Sequence, residues 1–493
     1  MSLLRFICVA GLLGVFAQAQ TPQKVIDDYL RALGDARTLG QIRSERIAGS
    51  LIEESTGATG SWSLIVRAPD SFYRQIIAGT DASVEAYNGM SAWSQGAGQG
   101  ALTLIGSAAK EAEAAGLYWN SRLEDVKKDK LSVQLTGMEK VRGRDTWHVH
   151  VVLKPGIARE VFFDTGTHLI ARDVAPDGTT FDYEDYRLVQ GIQTPYRIGL
   201  HRGTHDYQIS VTHAEYNSPV NDSVFGFPST AAVPMPDIPA LFHEVSQNQK
   251  AIEEIQKQYT CHLTEDDQEV DAKGQVKSVT VREFDVFHIA GEDVQHMIAK
   301  DGKPLAADEK KKEDARFDKR FAELTKKDAE LATDPKKRAQ QDKQDAKDDA
   351  QISDFLRTER FTNPRRERFR GEDVIAFDFG PNPEFKPKSM PENIVQKLAG
   401  VIWIDERARD VVRVEAHFTN SVKIGAGILA SVDKGTNFVF EQAMVNGEIW
   451  LPSYDETHIS GRLLFFKGNV NQIDRYSDYK KFHADSKIVS VEN

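Results

Sequence analysis

Residues 141–152 read VRGRDTWHVHVV, residues 161–174 VFFDTGTHLIARDV, and residues 183–200 YEDYRLVQGIQTPYRIGL. The same signals return in the same order as FRGEDVIAFDFG at 369–380, VIWIDERARDVVRVEA at 401–416 and FEQAMVNGEIWLPSYDETHI at 440–459. Arg142, Gly143 and Asp145 stand opposite Arg370, Gly371 and Asp373. Asp164 and Arg172 stand opposite Asp405 and Arg413. Gly191 and Pro195 stand opposite Gly447 and Pro452, one residue further apart in the second copy. Turn residues that recur in one order between apolar runs mark an internal repeat. The period is too long for a solenoid, so the repeat predicts two tandem domains of one fold.

The surrounding chain supports that reading. Residues 21–42 carry Val25, Ile26, Tyr29, Leu30 and Leu33 at helical spacing, with Thr21 as N-cap, Pro22 at the first helical position and Gly34 as a stop. Strands are expected at 46–53, 61–67, 72–77 and 83–87, with turns at 56–60, 68–71 and 88–89. Residues 95–106 read as irregular, 107–125 as helix, and 130–216 as a meander of seven strands. Four prolines in 228–239 mark a linker. A second amphipathic helix is expected over 240–259 (Leu241, Phe242, Val245, Ile252, Ile255), followed by strands at 277–290 and 293–299. Both halves therefore run helix, strands, helical interruption, meander. Residues 308–349 hold 13 basic and 13 acidic residues in 42 positions. Interleaved opposite charges predict a solvated helical insertion, broken by Pro335 into two antiparallel arms.

At 493 residues the chain can bury two or three cores. A net charge of −12 argues against nucleic acid as main partner. Residues 1–19 read as an export signal: Arg5, then the apolar run 6–16, then Ala17-Gln18-Ala19. Eleven apolar-rich residues are too few to span a bilayer. Cys8 lacks the small apolar box that a lipoprotein anchor needs directly before it. Cleavage leaves Cys261 alone, which excludes an intramolecular disulfide and reads as a half-buried small apolar residue. The expected location is periplasmic, as an exported protein with no integral membrane segment after cleavage.

Catalytic motifs are few. HExxH, GxSxG, a P-loop and a GxGxxG opening a helix are all missing. His148 and His150 share one strand face and offer two metal ligands, but Trp147, Val149, Val151 and Leu153 claim the other face for the core. The histidines therefore read as solvent-facing, and His201 and His205 likewise. Asp182, Glu184 and Asp185 offer paired acids for glycoside hydrolysis, against the plainer reading of a solubilising strand end. No catalytic residue, metal ligand or cofactor is expected.

Residues 60–93, GSWSLIVRAPDSFYRQIIAGTDASVEAYNGMSAW, resemble the lipoprotein-carrier family of Gram-negative periplasms, which has the LolA/LolB-like fold. The matching positions are Gly60, Trp62, Leu64, Val66, Arg67, Pro69, Phe72, Asn88, Gly89 and Trp93. The whole chain is similar to two-domain proteins called outer-membrane lipoprotein-sorting-like. The resemblance implies a mainly β fold with α: two tandem LolA-like open β-barrels, each a curved antiparallel sheet with a helical lid. The implied boundaries are 1–19, 20–228, a linker at 229–239, and 240–493. It further implies a non-enzymatic envelope protein that binds lipoprotein acyl chains or lipid, with Trp62, Leu64, Val66 and Phe72 lining the cavity. One position departs from the family: Ala68 stands where the carrier has the arginine that ties its lid, and Arg67 points to the opposite strand face. Two other readings stay open, an envelope sensor or structural protein that docks a partner protein and a carboxylate-dependent hydrolase.

Overall fold

The computed structural model describes residues 20–126, 131–228, 234–256, 258–271, 276–289, 292–339, 352–424, 430–463 and 466–481. The export signal read at 1–19, part of the linker (229–233) and the end of the charged insertion (340–349) lie outside the described residues.

In the first half, α1 (Pro22–Leu33) and α2 (Ala36–Gly40) precede β1 (Ser44–Glu53), β2 (Thr59–Arg67), β3 (Ser71–Ala78), β4 (Asp81–Tyr87), β5 (Ala92–Gly96) and β6 (Leu102–Thr103). Helix α3 (Gly106–Ser121) interrupts. Then come β7 (Ser132–Val141), β8 (Arg144–Lys154), β9 (Ile157–Asp164), β10 (Ile170–Val174), β11 (Thr180–Val189), β12 (Ile192–Arg202) and β13 (His205–Tyr216). The second half opens with α4 (Ile238–Gln256), β14 (Tyr259–Val270), β15 (Val276–Ile289), β16 (Glu292–Lys300) and β17 (Lys303–Pro304). Helices α5 (Ala307–Thr333) and α6 (Ile352–Thr358) lead into β18 (Glu359–Phe369) and β19 (Glu372–Pro381). After α7 (Met390–Val395) follow β20 (Leu398–Asp405), β21 (Asp410–Phe418), β22 (Val422–Ile424), β23 (Ala430–Val432), β24 (Asn437–Val445), β25 (Ile449–Leu463) and β26 (Phe466–Lys481).

The chain packs as two compact units, each discontinuous in sequence. One combines the residues up to Ser61 with Ser121–Ser218, and the other combines Trp62–Asn120 with Pro219 onward. The linker divides the sequence at 229–239, whereas this packing groups 62–120 with the second half.

In the first unit the antiparallel order is β1-β13-β12-β11-β10-β9-β8-β7. The thirteen-stranded second sheet runs β17-β16-β15-β14-β26-β25-β24-β21-β20-β19-β18, with β22 and β23 as a side ladder on β25. In each half the strand after the long opening helix pairs with the last strand, β1 with β13 and β14 with β26. Large curved antiparallel sheets that do not close, with few helices, are the open-barrel class expected.

The repeat signals mark equivalent turns. Arg142-Gly143, Gln190-Gly191 and Arg370-Gly371 are two-residue hairpin loops with both residues at positive φ, as type I′ turns require. Asn446-Gly447 starts the same way, but Glu448 lengthens that loop before Ile449 pairs with Val445. That added residue, with the register shift beyond it, accompanies the later position of Pro452. Asp164 accepts bonds from Gly166 N (2.9 Å) and Thr167 N (2.8 Å), and Asp405 from Arg407 N and Ala408 N (both 2.7 Å). The repeated arginines also share a task. Arg172 holds Asp182 through two bonds of 2.6 and 2.8 Å while Arg142 approaches it at 3.2 Å. In the second sheet Arg413 and Arg370 hold Glu441. Arg172 faces Asp182 and Arg413 faces Glu441 in register, so each copy carries one arginine–acid–arginine triad that pins a hairpin turn to the sheet.

Helix α1 docks as its sequence predicts. Thr21 accepts from Lys24 N at 3.2 Å, and Val25, Ile26, Tyr29, Leu30 and Leu33 are buried. The expected 21–42 helix is two helices, because Asp35 caps a new one by accepting from Arg37 and Thr38. In the second half α4 lays Leu241 and Val245 on a sheet face carrying Ile375, Phe377, Phe379, Ile402 and Ile404, with Phe242 and Phe361 partly buried beside them.

Two expectations need correction. Residues 95–106 are not wholly irregular, since β5 ends and β6 forms there. The charged insertion is not solvated all round: α5 sets Phe317 and Phe321 against Phe287 (ring centroids 5.4 and 6.0 Å), buries Leu324, and turns Glu313 in to accept from Met297 N at 2.9 Å. Lys327 pairs with Glu292 at 2.9 Å. The helix ends at Thr333, with Asp334 as its C-cap before Pro335.

Candidate functional site

Strand β2 projects Trp62, Leu64 and Val66 to one face by strict alternation. All three are buried, and so is Ile65 on the other face. Phe72, the second residue of β3, is fully buried among Tyr87, Ala92, Ala112, Leu104 and Ala115, edge-on to Trp119 at 4.9 Å. What closes over it is α3. Gly116 lets that helix touch the β2–β3 turn, for a Cβ there would lie 2.0 Å from the Asp70 carbonyl oxygen. Asn120 then donates to Ser71 O at 3.3 Å. The four residues expected at a cavity wall are thus all interior, with Phe72 packed under α3.

The tryptophans differ in their polar atoms. Trp93 Nε1 donates to Phe225 O at 2.9 Å, Trp403 Nε1 to Glu367 at 2.5 Å, and Trp450 Nε1 to Asp405 at 3.2 Å. Trp62 Nε1 is buried and finds no acceptor among the described residues. A buried donor left unpaired costs about 1–3 kcal/mol. Alternation of apolar and polar residues could locate Trp62 in sequence; only the fold reveals that its N–H is unsatisfied. Arg67, beside the departing Ala68, pairs with Asp222 and lies 4.8 Å from the Phe225 ring.

The hairpin tips of the 62–120 segment are locked by a polar network. Asp378, fully buried, accepts from Arg365 (2.8 Å), Asn363 (2.7 Å) and Asn88 (3.0 Å). Glu367 accepts from Thr103 N at 2.7 Å and Glu415 from Gly106 N at 3.0 Å.

A cavity of about 460 Å³ lies in the first unit, lined by Ala32 of α1. Leu169, Ile170, Ala171 and Tyr186 line its apolar side, and Arg144, Asp164, Glu184 and Asp185 its charged side. These acids are engaged. Glu184 lies 3.1 Å from Arg142, 3.7 Å from Arg197 and 3.9 Å from Arg144. Asp185 bonds Arg187 at 2.6 Å, which holds its carboxyl below the usual range. Burial alone would push Asp182 up, but its bonds to Arg172 and the charges of Arg172, Arg142 and His201 outweigh this and hold it down. A glycosidase needs one acid kept protonated, and this cluster instead ties its acids to arginines.

The histidines are likewise hydrogen-bonded to carboxylates. His148 sits between Glu139 (2.8 Å) and Glu160 (2.6 Å), stacked on Phe162 at 4.3 Å, and His150 meets the other Glu160 oxygen at 2.6 Å. His201 meets Asp206 at 2.7 Å and His205 meets Glu53 at 2.6 Å. Cys261, half-buried on β14, has its thiol pushed up to about 12 by burial, which leaves it a poor nucleophile.

No protein-family model matches the chain, and no curated protein matches it in sequence. Solved structures similar to it include a DUF1329 family protein from Desulfovibrio piger, with 14% identity over 42% of this chain and 98% of that one and a TM-score of 0.29. A LolA superfamily protein from Nitrosomonas europaea is 12% identical over 42% of this chain and 98% of that one, with a TM-score of 0.29. The MucA/MucB complex of Pseudomonas aeruginosa matches over 94% of this chain and 100% of that one, at 9% identity and a TM-score of 0.17.

Proposed function

We propose that this is an exported, non-enzymatic protein of the periplasm that binds an apolar chain, a lipid or the acyl chains of a lipoprotein, with Trp62, Leu64, Val66 and Phe72 at the binding face. The observation that carries the reading is the buried Trp62 N–H without an acceptor among the described residues. On the strand face it shares with Leu64 and Val66, it suits the ester or amide carbonyl that links an acyl chain to its headgroup. The buried cluster around Phe72 supplies the apolar surroundings such a chain needs. The paired state of Asp182, Glu184 and Asp185 supports binding over hydrolysis.

The test is native mass spectrometry of protein purified from its own envelope, paired with a fluorescent acyl probe. A co-purifying lipid and probe uptake are expected. Leu64→Glu should abolish uptake because an unpaired carboxylate is strongly disfavoured in an apolar site. If that variant unfolds, Leu64 is packed core; if the melting curve is nearly unchanged, Leu64 is wall. Wild-type protein that neither carries lipid nor takes up the probe overturns the reading and leaves the partner-docking protein in its place.

A further inference from the structure

Glu359 opens β18, the terminal strand of the second sheet among the described residues, directly after α6. Only 4% of its surface is exposed, and neither carboxyl oxygen has a hydrogen-bond partner among the described residues. By alternation it shares the face of Phe361, two residues on. That face belongs to the aromatic cluster under α4 and α6. Phe361 lies 4.4 Å from Phe242, 5.7 Å from Phe355 and 6.4 Å from Phe379, ring centre to ring centre. Phe242 and Phe361 are only partly buried.

Among the described residues, several charged groups on neighbouring elements pair elsewhere. Arg357 of α6 bonds Glu392 of α7 at 2.7 Å, Glu244 of α4 pairs with Arg409 at 2.8 Å, and Asp378 of β19 takes Arg365. His243 of α4 is exposed, as is Arg360 beside Glu359. Burial alone accounts for the rise of the Glu359 carboxyl to about 8.

An acid in such a place is unsatisfied in either state. Ionised, it lacks donors for both oxygens; protonated, its own O–H lacks an acceptor. Aromatic ring faces carry negative potential, so the cluster on the face that Glu359 shares with Phe361 disfavours an anion and attracts a cation. Acid and rings are thus complementary to one kind of group, a cation that brings several N–H donors into an apolar niche. A quaternary ammonium has no N–H to give, whereas a primary ammonium has three. The apolar face that continues through Phe377 and Ile402 suits a chain attached to it.

We propose that the helix-covered face of the second sheet binds the primary ammonium end of an amphipathic amine, with Glu359 as counter-ion and Phe242, Phe355 and Phe361 as walls. This site is distinct from the face around Trp62 and goes beyond the function proposed for it.

Calorimetric titration of the full chain with decylammonium, decyltrimethylammonium, decanol and butylammonium tests it. Decylammonium should bind at least tenfold more tightly than decanol and more tightly than the quaternary analogue. The preference of decylammonium over decanol should vanish in Glu359→Gln. Because the free acid holds its proton below about pH 8, decylammonium affinity should rise about ninefold from pH 6 to 7 and about fivefold from 7 to 8. In wild-type protein at pH 7, binding should release close to one proton, read from heats in buffers of different ionisation enthalpy. This last measurement stands even if the variant fails to fold. Equal binding of decylammonium and decanol overturns the proposal while leaving the acyl-chain reading intact, and so does a preference that survives Glu359→Gln. Butylammonium binding as tightly as decylammonium overturns the amphipathic ligand in favour of a free amine. Glu359-dependent amine binding in a protein that takes up no acyl probe supports the ammonium site and sinks only the carrier.

Discussion

Trp62 and Trp93 make a matched pair on which the binding reading can fail. Both indoles are buried, but Trp93 donates to Phe225 O and Trp62 donates to nothing among the described residues. Replacing either by phenylalanine removes a similar piece of ring, roughly 40 Å² or about 1 kcal/mol, and adds a similar small void. In Trp93→Phe a good hydrogen bond also goes and the Phe225 carbonyl is left unpaired, a further cost of about 1–3 kcal/mol. In Trp62→Phe the change removes a donor that was already unpaired, a relief of the same order. Trp93→Phe should therefore be less stable than Trp62→Phe by roughly 2 kcal/mol or more, a gap of about 4–8 °C in Tm for domains of this size. Urea unfolding of lipid-stripped protein reads the gap directly. The same Trp62→Phe protein should bind an ester-linked acyl probe about fivefold more weakly, since one neutral hydrogen bond is worth about 1 kcal/mol. Equal destabilisation by the two substitutions refutes the reasoning, because it means the Trp62 N–H has a partner in the free protein. Unchanged probe affinity refutes its use by a ligand.

Three other outcomes follow from packing and charge. Phe317→Ala or Leu324→Ala in α5 should lower stability by about 2–4 kcal/mol by differential scanning calorimetry, because these side chains dock the charged helix on the sheet; a loss below 0.5 kcal/mol would make the insertion a free arm after all. Gly116→Ala should displace α3 and lower Tm by several degrees, since its Cβ meets the Asp70 carbonyl at 2.0 Å; an unchanged melt refutes the close approach. Burial first, then the charge of Asp405, pushes Asp410 up to about 7, above its value of about 3.8 in the unfolded chain. The folded state then holds the proton longer, so the contribution is complete below about pH 4 and is lost as pH rises to 7. Asp410→Asn should match wild type at pH 4 and exceed it at pH 8, by at most about 4 kcal/mol; parallel pH profiles for the two proteins would show that Asp410 titrates normally.

The turns were legible because their chemistry is local. Arg142-Gly143 and Gln190-Gly191 need positive φ, and glycine at the second position announces it. Helix α1 was legible from its cap and its apolar stripe. Strand β14 was not. Its TEDDQE run reads as solvent or loop, yet Arg282 bonds Glu265 at 2.8 Å and Arg475 bonds Asp266 at 2.6 Å from the strands on either side. Cross-strand partners that lie 17 and 209 residues away leave no trace in a local window. The candidate sites divide in the same way. Trp62 stands out by alternation, but its lack of an acceptor depends on everything packed around it. Glu359, followed by Arg360, looks like a surface charge pair until the strand's first residue proves to be interior.

The two copies share their frame and differ in what the frame encloses. Turns, hairpin loops and the arginine–acid–arginine triads recur, and all of these serve the edges and backs of the strands. Beneath α1 the first copy sets Tyr29 against Phe163 (5.2 Å) and buries the ion pair Arg159–Asp173 (2.8 Å). Beneath α4 the second gathers phenylalanines and leaves Glu359 without a partner among the described residues. A buried pair that is fully bonded, as Arg159–Asp173 is, already satisfies its charges and offers a ligand nothing. A buried acid with no partner is costly until something pairs with it. If either helix-covered face has been shaped for a charged ligand, physical chemistry therefore favours the second, and the shared frame explains why sequence signals strong enough to reveal the repeat carry no information about that difference.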